Sequence, residues 1–191
     1  MRPRIALGAL VALTALTFTA VASAHARLSP PVAVAKELQL FTLAVPTEKA
    51  NAQTTSIELT LPAGFSIDSF VPAVGWKRVV QTTGSGDAAV IQKVTWTGGS
   101  VPTGEDSAFS FLAIAAASKT YTFSVRQTYS DGSVVDWSGP ETADAPAPTV
   151  KALSSFGGGT STLSIVALAL AAIALIVSLV GLFARGGRTL A

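Results

Sequence analysis

The chain has 191 residues, 49% of them hydrophobic, with 13 Lys and Arg against 11 Asp and Glu, one His and no Cys. Without cysteine there are no disulfide staples and no thiolate metal sites, so the folded part must be held by its core. The basic excess is no sign of nucleic-acid binding, because it sits at the chain's ends: residues 25–150 carry 8 Lys and Arg against 11 Asp and Glu, a net charge of −3.

The first 24 residues read as a secretory signal peptide. Arg2 and Arg4 are followed by an uncharged apolar stretch over 5–21, and Ala22-Ser23-Ala24 supplies the small residues that a signal peptidase reads. Cleavage after Ala24 would make His25, the only histidine, the first residue of the mature chain.

Seven segments then read as strands, at 38–45, 56–62, 76–82, 89–97, 108–115, 120–129 and 133–138. Each is short, rich in β-branched and aromatic residues, and bounded by Gly, Pro, Asp or Ser. Ile57, Leu59 and Leu61 alternate with Glu58 and Thr60, and Tyr121, Phe123 and Val125 with Thr122 and Ser124, so each strand buries one face. The pattern predicts an all-β sandwich of seven to eight strands over 25–138. Ser130-Asp131-Gly132 marks a hairpin between the last two.

Residues 139–161 shift to Pro, Ala, Gly and Ser and read as a flexible linker. Residues 162–184 carry no charge and are long enough to cross a hydrocarbon core about 30 Å thick, which predicts one transmembrane helix. Arg185 and Arg188 follow at once, so the short tail 185–191 is expected in the cytoplasm and the β-domain outside the plasma membrane, on a single-pass anchor.

Enzyme chemistry finds little support: the sequence holds no G-x-S-x-G, no phosphate loop and no cysteine nucleophile, so a non-enzyme is expected. His25 is different. At a mature N-terminus its α-amine and ring Nδ1 close a small chelate ring on one metal ion without any tertiary structure. Divalent copper suits two such nitrogens, since it heads the first-row affinity series and favours tetragonal nitrogen and oxygen donors. The plain alternative is a histidine left at the cut site by chance, and the residues leave the two open. A further donor would come from a carboxylate. A strand from His25, a turn at Pro30-Pro31 and a return strand ending near Pro46 would bring Glu48 back to the His25 end, where the next strand carries Glu58. Glu58 alternates with Ile57 and Leu59 and is equally an exposed strand charge; Glu48 is equally a loop charge. Trp76 and Trp96 read as core anchors. Trp137 is either the same or the wall of a metal site, and Asp136 beside it points to the opposite face.

The segments "HARLSPP", "FTLAVPTEK", "TTSIELTLPAGF", "GWKR", "VTWTGG" and "QTYSDGSVVDWSGP", in this order and spacing, resemble the YcnI-like family of exported copper-binding domains over roughly residues 25–148. The resemblance implies an immunoglobulin-like or cupredoxin-like sandwich that binds one Cu(II) through a single-histidine brace, with a glutamate ligand and a nearby tryptophan. His25 and Trp137 match by motif position; Glu58 is the first choice for the glutamate and Glu48 the second. Asp136 stands where a longer Glu is expected, which tells against it as a ligand. The resemblance also implies a metallochaperone or copper-acquisition role, with a membrane copper importer or an exported copper carrier as partner. Two other functions stay in view: a surface interaction or adhesion module indifferent to metal, and, least favoured, a copper-dependent oxidase, for which the second histidine is missing.

Overall fold

In a computed structural model of the chain, residues 25–86, 89–157 and 161–185 are described. The expected signal peptide and residues 186–191 of the expected tail lie outside the described residues. The chain divides into two compact units between Ser154 and Ser155.

Among the described residues the first unit is built of twelve strands: β1 (Arg27–Ser29), β2 (Val32–Val34), β3 (Leu38–Pro46), β4 (Thr54–Thr60), β5 (Phe65–Phe70), β6 (Lys77–Thr83), β7 (Val90–Val101), β8 (Asp106–Ala115), β9 (Thr120–Thr122), β10 (Ser124–Tyr129), β11 (Val134–Trp137) and β12 (Thr149–Leu153). They form a four-stranded sheet in the order β1-β3-β8-β5, a five-stranded sheet in the order β11-β10-β4-β7-β6, and a three-stranded sheet in the order β2-β12-β9. The fold is all-β and immunoglobulin-like, as expected, and every expected strand is present within a few residues.

Four strands lie outside the seven segments read from periodicity, β1 having been expected only as the strand leading from His25 to the turn at Pro30-Pro31, and each has a physical reason. β1 and β2 have three residues apiece on either side of Pro30-Pro31, too short to show periodicity. β5 buries Phe65 and Ile67 but alternates them with Ser66 and Asp68, and Asp is a poor strand former. β12 lies inside the segment expected to be linker. It pairs parallel with β2 and antiparallel with β9, and Val150 and Ala152 are buried. The sandwich therefore extends to Leu153, past the expected boundary at 138. The expected strand 120–129 is two strands, because the chain changes sheets at Phe123, whose N–H bonds the Pro148 carbonyl at 2.9 Å.

Strand alternation places the core between the sheets. Leu43, Val45, Phe109 and Phe111 from one side meet Ile57, Leu59, Val94 and Val125 from the other, each 0–1% exposed. Trp96 stacks on Phe109 with ring centroids 4.3 Å apart, and Trp76 packs edge-on to the same Phe109 at 5.0 Å. Trp96 is a buried core anchor as expected, whereas Trp76 is only partly buried and packs against the core from its edge. Gly99 is required by this packing, since a Cβ there would lie 2.1 Å from the Trp76 ring.

Among its described residues the second unit holds one helix, α1 (Thr162–Arg185). Ser161 caps its N-terminus, its Oγ accepting from the Ser164 N–H at 3.0 Å. The 20 residues Thr162–Gly181 have a mean hydropathy of 2.9. At 1.5 Å per residue they are long and apolar enough to cross a bilayer core of about 30 Å.

Candidate functional site

The antiparallel register of β1 on β3 pairs Arg27 with Ala44 and Ser29 with Thr42. Two residues upstream of Arg27, His25 thus stands at the Pro46 end of β3, as the hairpin argument expected. β1 is an edge of the four-stranded sheet and β11 an edge of the five-stranded one. At the open side between these two edges the half-buried His25 ring meets Trp137, edge to face, with centroids 6.5 Å apart and planes at 79°.

Trp137 projects inward. It pairs with Val125, which pairs with Leu59, and it is 1% exposed. Its indole N–H donates to Gln127 Oε1 at 2.9 Å. The Gln127 amide in turn donates to the Pro46 carbonyl at 2.8 Å and to Thr54 Oγ1 at 2.7 Å, and Thr54 and Thr47 share a hydroxyl hydrogen bond of 2.7 Å. Trp137, Gln127, Thr54 and Thr47 are all buried. Because a carbonyl can only accept, Pro46 fixes which way the Gln127 amide faces, and so leaves its oxygen for the indole. This network ties the end of β3 in one sheet to β4, β10 and β11 in the other, directly beneath His25. The sequence reading missed Gln127. A polar residue on the inward phase of the alternation, level with Val125 and Tyr129, was the available signal.

His25 opens onto a cleft of about 630 Å³. One wall is the run 25–28; the other is made by residues 139–141 and 146–149. The loop between β11 and β12 is held by its own main chain: the Gly139 N–H bonds the Ala145 carbonyl at 3.0 Å, and the Ala147 N–H bonds the Gly139 carbonyl at 2.9 Å. A Cβ at Gly139 would lie 2.7 Å from Ala143 Cβ and 3.1 Å from the Ala145 oxygen, so only glycine fits. The loop brings Glu141 into the cleft that holds His25. Glu141 was read as part of a flexible linker because Pro and Ala dominate its surroundings.

The two carboxylates singled out in the sequence lie elsewhere. Glu58 sits on the outer face of the five-stranded sheet, 2.8 Å from Lys93 Nζ, between Ile57 and Leu59 whose side chains are fully buried on the other face. The register aligns it with Arg126 and Asp136, whose forked ion pair has N–O distances of 2.7 and 3.0 Å. Glu58 and Asp136 thus face away from Trp137. Glu48 follows Pro46 at the His25 end of the sandwich, but it lines a separate depression with Glu105 and Asp106. Among the described residues no three His, Cys, Asp or Glu side chains converge as a metal site. The residues that line the cleft include one histidine, His25, one carboxylate residue, Glu141, and two threonines, Thr122 and Thr149.

The family described as Domain of unknown function (DUF1775) matches residues 25–152, from His25 into β12. The Copper-binding protein CutI of Bacillus subtilis (strain 168) is 33% identical over 186 residues, covering 87% of this chain and 89% of that protein. A crystal structure of an uncharacterized protein from Nocardia farcinica, described as revealing an immunoglobulin-like fold, is 32% identical with a TM-score of 0.57, covering 67% of this chain and 97% of that one.

Proposed function

This chain belongs to the DUF1775 family, and from that premise we propose that it is a copper-binding protein whose site is the cleft at His25. The observation that carries the reading is one arrangement: the His25 ring lies against buried Trp137 and opens onto the cleft that also receives Glu141. With the chain cut after Ala24, the His25 α-amine and Nδ1 hold Cu(II) as a chelate and Glu141 supplies an oxygen donor. Cu(II) suits nitrogen and oxygen donors, whereas Cu(I) prefers thiolate and thioether. Trp137 gives the ion an apolar wall. Its N–H is already committed to Gln127, so it offers no competing donor. Glu58 is replaced by Glu141 as the first choice of carboxylate, because Lys93 holds Glu58 on the far face of the sheet.

An ion held by few protein donors exchanges readily, which suits a carrier or acquisition factor better than an enzyme. Helix α1 anchors the β-domain on the outer face of the plasma membrane, and the importer or exported carrier expected from the sequence is its exchange partner. Copper titration of the chain beginning at His25, followed by electron paramagnetic resonance, tests the reading. Glu141→Gln is expected to weaken binding at least tenfold with the nitrogen hyperfine structure retained. Unchanged affinity would remove Glu141 from the site.

A further inference from the structure

The outer face of the four-stranded sheet is small or polar at one end and aliphatic at the other. The β3–β8 register pairs Ala44 with Ala108 and Thr42 with Ser110 toward the Pro46 end, then Leu40 with Leu112 and Leu38 with Ile114. These residues alternate with the buried Phe41, Leu43, Phe109, Phe111 and Ala113, so they point away from the core. Leu38 and Leu40 are 49% and 53% exposed, and Leu112 and Ile114 are half-buried. A single exposed leucine is ordinary, but two adjacent aliphatic cross-strand pairs on an outward face form a contiguous apolar patch of the kind that marks an interaction surface.

The path of the chain points to the occupant. β12 finishes at the aliphatic end: the Ala35 N–H bonds the Leu153 carbonyl at 2.8 Å, and the Lys36 N–H bonds the Ala115 carbonyl at 2.7 Å, two residues before Leu38. Only residues 154–161 separate Leu153 from α1. Eight residues span at most about 30 Å fully extended, so with α1 in a bilayer a lipid surface stays within reach of this end. Charge agrees. Exposed Lys36, Lys119 and Lys151 gather there, the Ala152 N–H bonding the Lys119 carbonyl at 2.9 Å, against the exposed carboxylates of Glu37 and Asp68. The Pro46 end carries Glu48, Glu105 and Asp106 in one depression. Within a domain of net negative charge, the lysines collect beside the aliphatic patch and the carboxylates at the far end.

We propose that the patch formed by Leu38, Leu40, Leu112 and Ile114, with Lys36, Lys119 and Lys151 beside it, docks on an anionic lipid surface, that of the membrane in which α1 is anchored. The proposal rests on the reading of α1 as an anchor and is independent of the copper reading. Aliphatic side chains enter the headgroup boundary while ammonium groups meet lipid phosphates, and the two contributions together drive interfacial binding. The Pro46 end, where His25 stands, lies outside the contact, so the copper cleft stays open to exchange.

The test uses the full chain beginning at His25, inserted into vesicles of equal parts phosphatidylcholine and phosphatidylglycerol that carry a lipid with a nitroxide headgroup. The chain has no cysteine, so one introduced cysteine takes a fluorescent bimane label cleanly. Leu40→Cys reports the patch. Val79→Cys is the control, since Val79 is 62% exposed and shares the outer face of the opposite sheet with Glu58, through Thr95. Quenching by the nitroxide is expected to be at least about threefold stronger at 40 than at 79. Lys36→Gln, Lys119→Gln and Lys151→Gln together, or vesicles of phosphatidylcholine alone, should remove at least about half of that difference. Ser66→Cys, which the register places beside Ile114 on the same face, serves as a second reporter, and Leu40→Asn should cut its quenching by about half or more.

Equal quenching at 40 and 79, in chains that float with the vesicles, overturns the docking and leaves the anchor standing. Quenching at Ser66→Cys that Leu40→Asn does not change overturns the apolar contact, and quenching indifferent to both lipid charge and the lysine changes overturns the electrostatic one. A chain that fails to float with the vesicles overturns the anchor and the docking together.

Discussion

Trp137 and Gln127, on adjacent strands of the five-stranded sheet, are joined by an indole N–H to amide oxygen hydrogen bond of 2.9 Å in a fully buried setting. The same amide reaches across to the Pro46 carbonyl of the other sheet, so one side chain sets both the tryptophan beneath His25 and the strand end beside it. Replacing Gln127 by Leu strands the indole N–H, the Pro46 carbonyl and one bond of Thr54. Each unsatisfied buried group costs about 1–3 kcal/mol, and partial relaxation brings the expected loss to about 2–4 kcal/mol. Trp137→Phe leaves only Gln127 Oε1 unpaired there and is expected to cost about 1–3 kcal/mol, from the lost bond and the smaller ring. Urea denaturation measures both, and losses below about 0.5 kcal/mol would show that the network contributes little.

Gly139→Ala tests the loop that forms the far wall of the cleft. The new Cβ would lie 2.7 Å from Ala143 Cβ, so residues 139–147 must shift. Thermal stability is expected to fall by about 1–3 kcal/mol, in the range of overpacking. Copper affinity should fall with it as Glu141 moves. A variant with wild-type copper affinity would detach the loop from the site.

Glu58→Gln separates the two candidate carboxylates. Glu58 is paired to Lys93 on the outer face, a partly exposed salt bridge of the kind worth about 0–1 kcal/mol. The variant is expected to bind copper as the parent does, with stability changed by less than about 1 kcal/mol. Loss of copper binding in Glu58→Gln would restore Glu58 as the ligand.

Acid should loosen the β10–β11 hairpin in a predictable order. Hydrogen bonds from Lys49 and Ser133 hold the Asp131 carboxyl well below the usual carboxylate range, and the Arg126 guanidinium holds Asp136 below it. A carboxyl whose folded pKa is depressed stabilises the fold above its unfolded value, near 3.9, and that contribution is lost as pH falls through the folded value. The thermal midpoint is therefore expected to be insensitive to these groups from pH 7 to about 5 and to drop below about 4. Asp131→Asn and Asp136→Asn should each flatten the drop, and 1 M salt should shrink the difference because both carboxylates are solvent-exposed. A steeper drop in either variant would contradict this assignment.

The sandwich was legible because Ile57, Leu59, Tyr121, Phe123 and Val125 alternate so regularly that only strands fit. His25 and Trp137 were legible singly, one behind the small-residue run Ala22-Ser23-Ala24 and the other at the end of the last recognisable strand, but local sequence left Trp137 open between core anchor and site wall, and only the family resemblance put the two together. Glu141 and β12 were not legible, since Pro and Ala around them carry no period. What orders that segment is main-chain bonding to β2, β9 and Gly139, which local composition does not display. Glu58 was misplaced because its alternation with Ile57 and Leu59 fixed its face correctly, whereas its distance from His25 depends on strand order, which a single sequence leaves open.

The central claim is that the His25 α-amine and ring together hold copper. The decisive measurement is an electron paramagnetic resonance titration of Cu(II) into the chain beginning at His25, beside the same chain carrying one extra alanine in front of it. The account predicts a one-to-one signal with nitrogen hyperfine structure that the added alanine abolishes. Identical spectra from the two chains, or no bound copper in either, would contradict it.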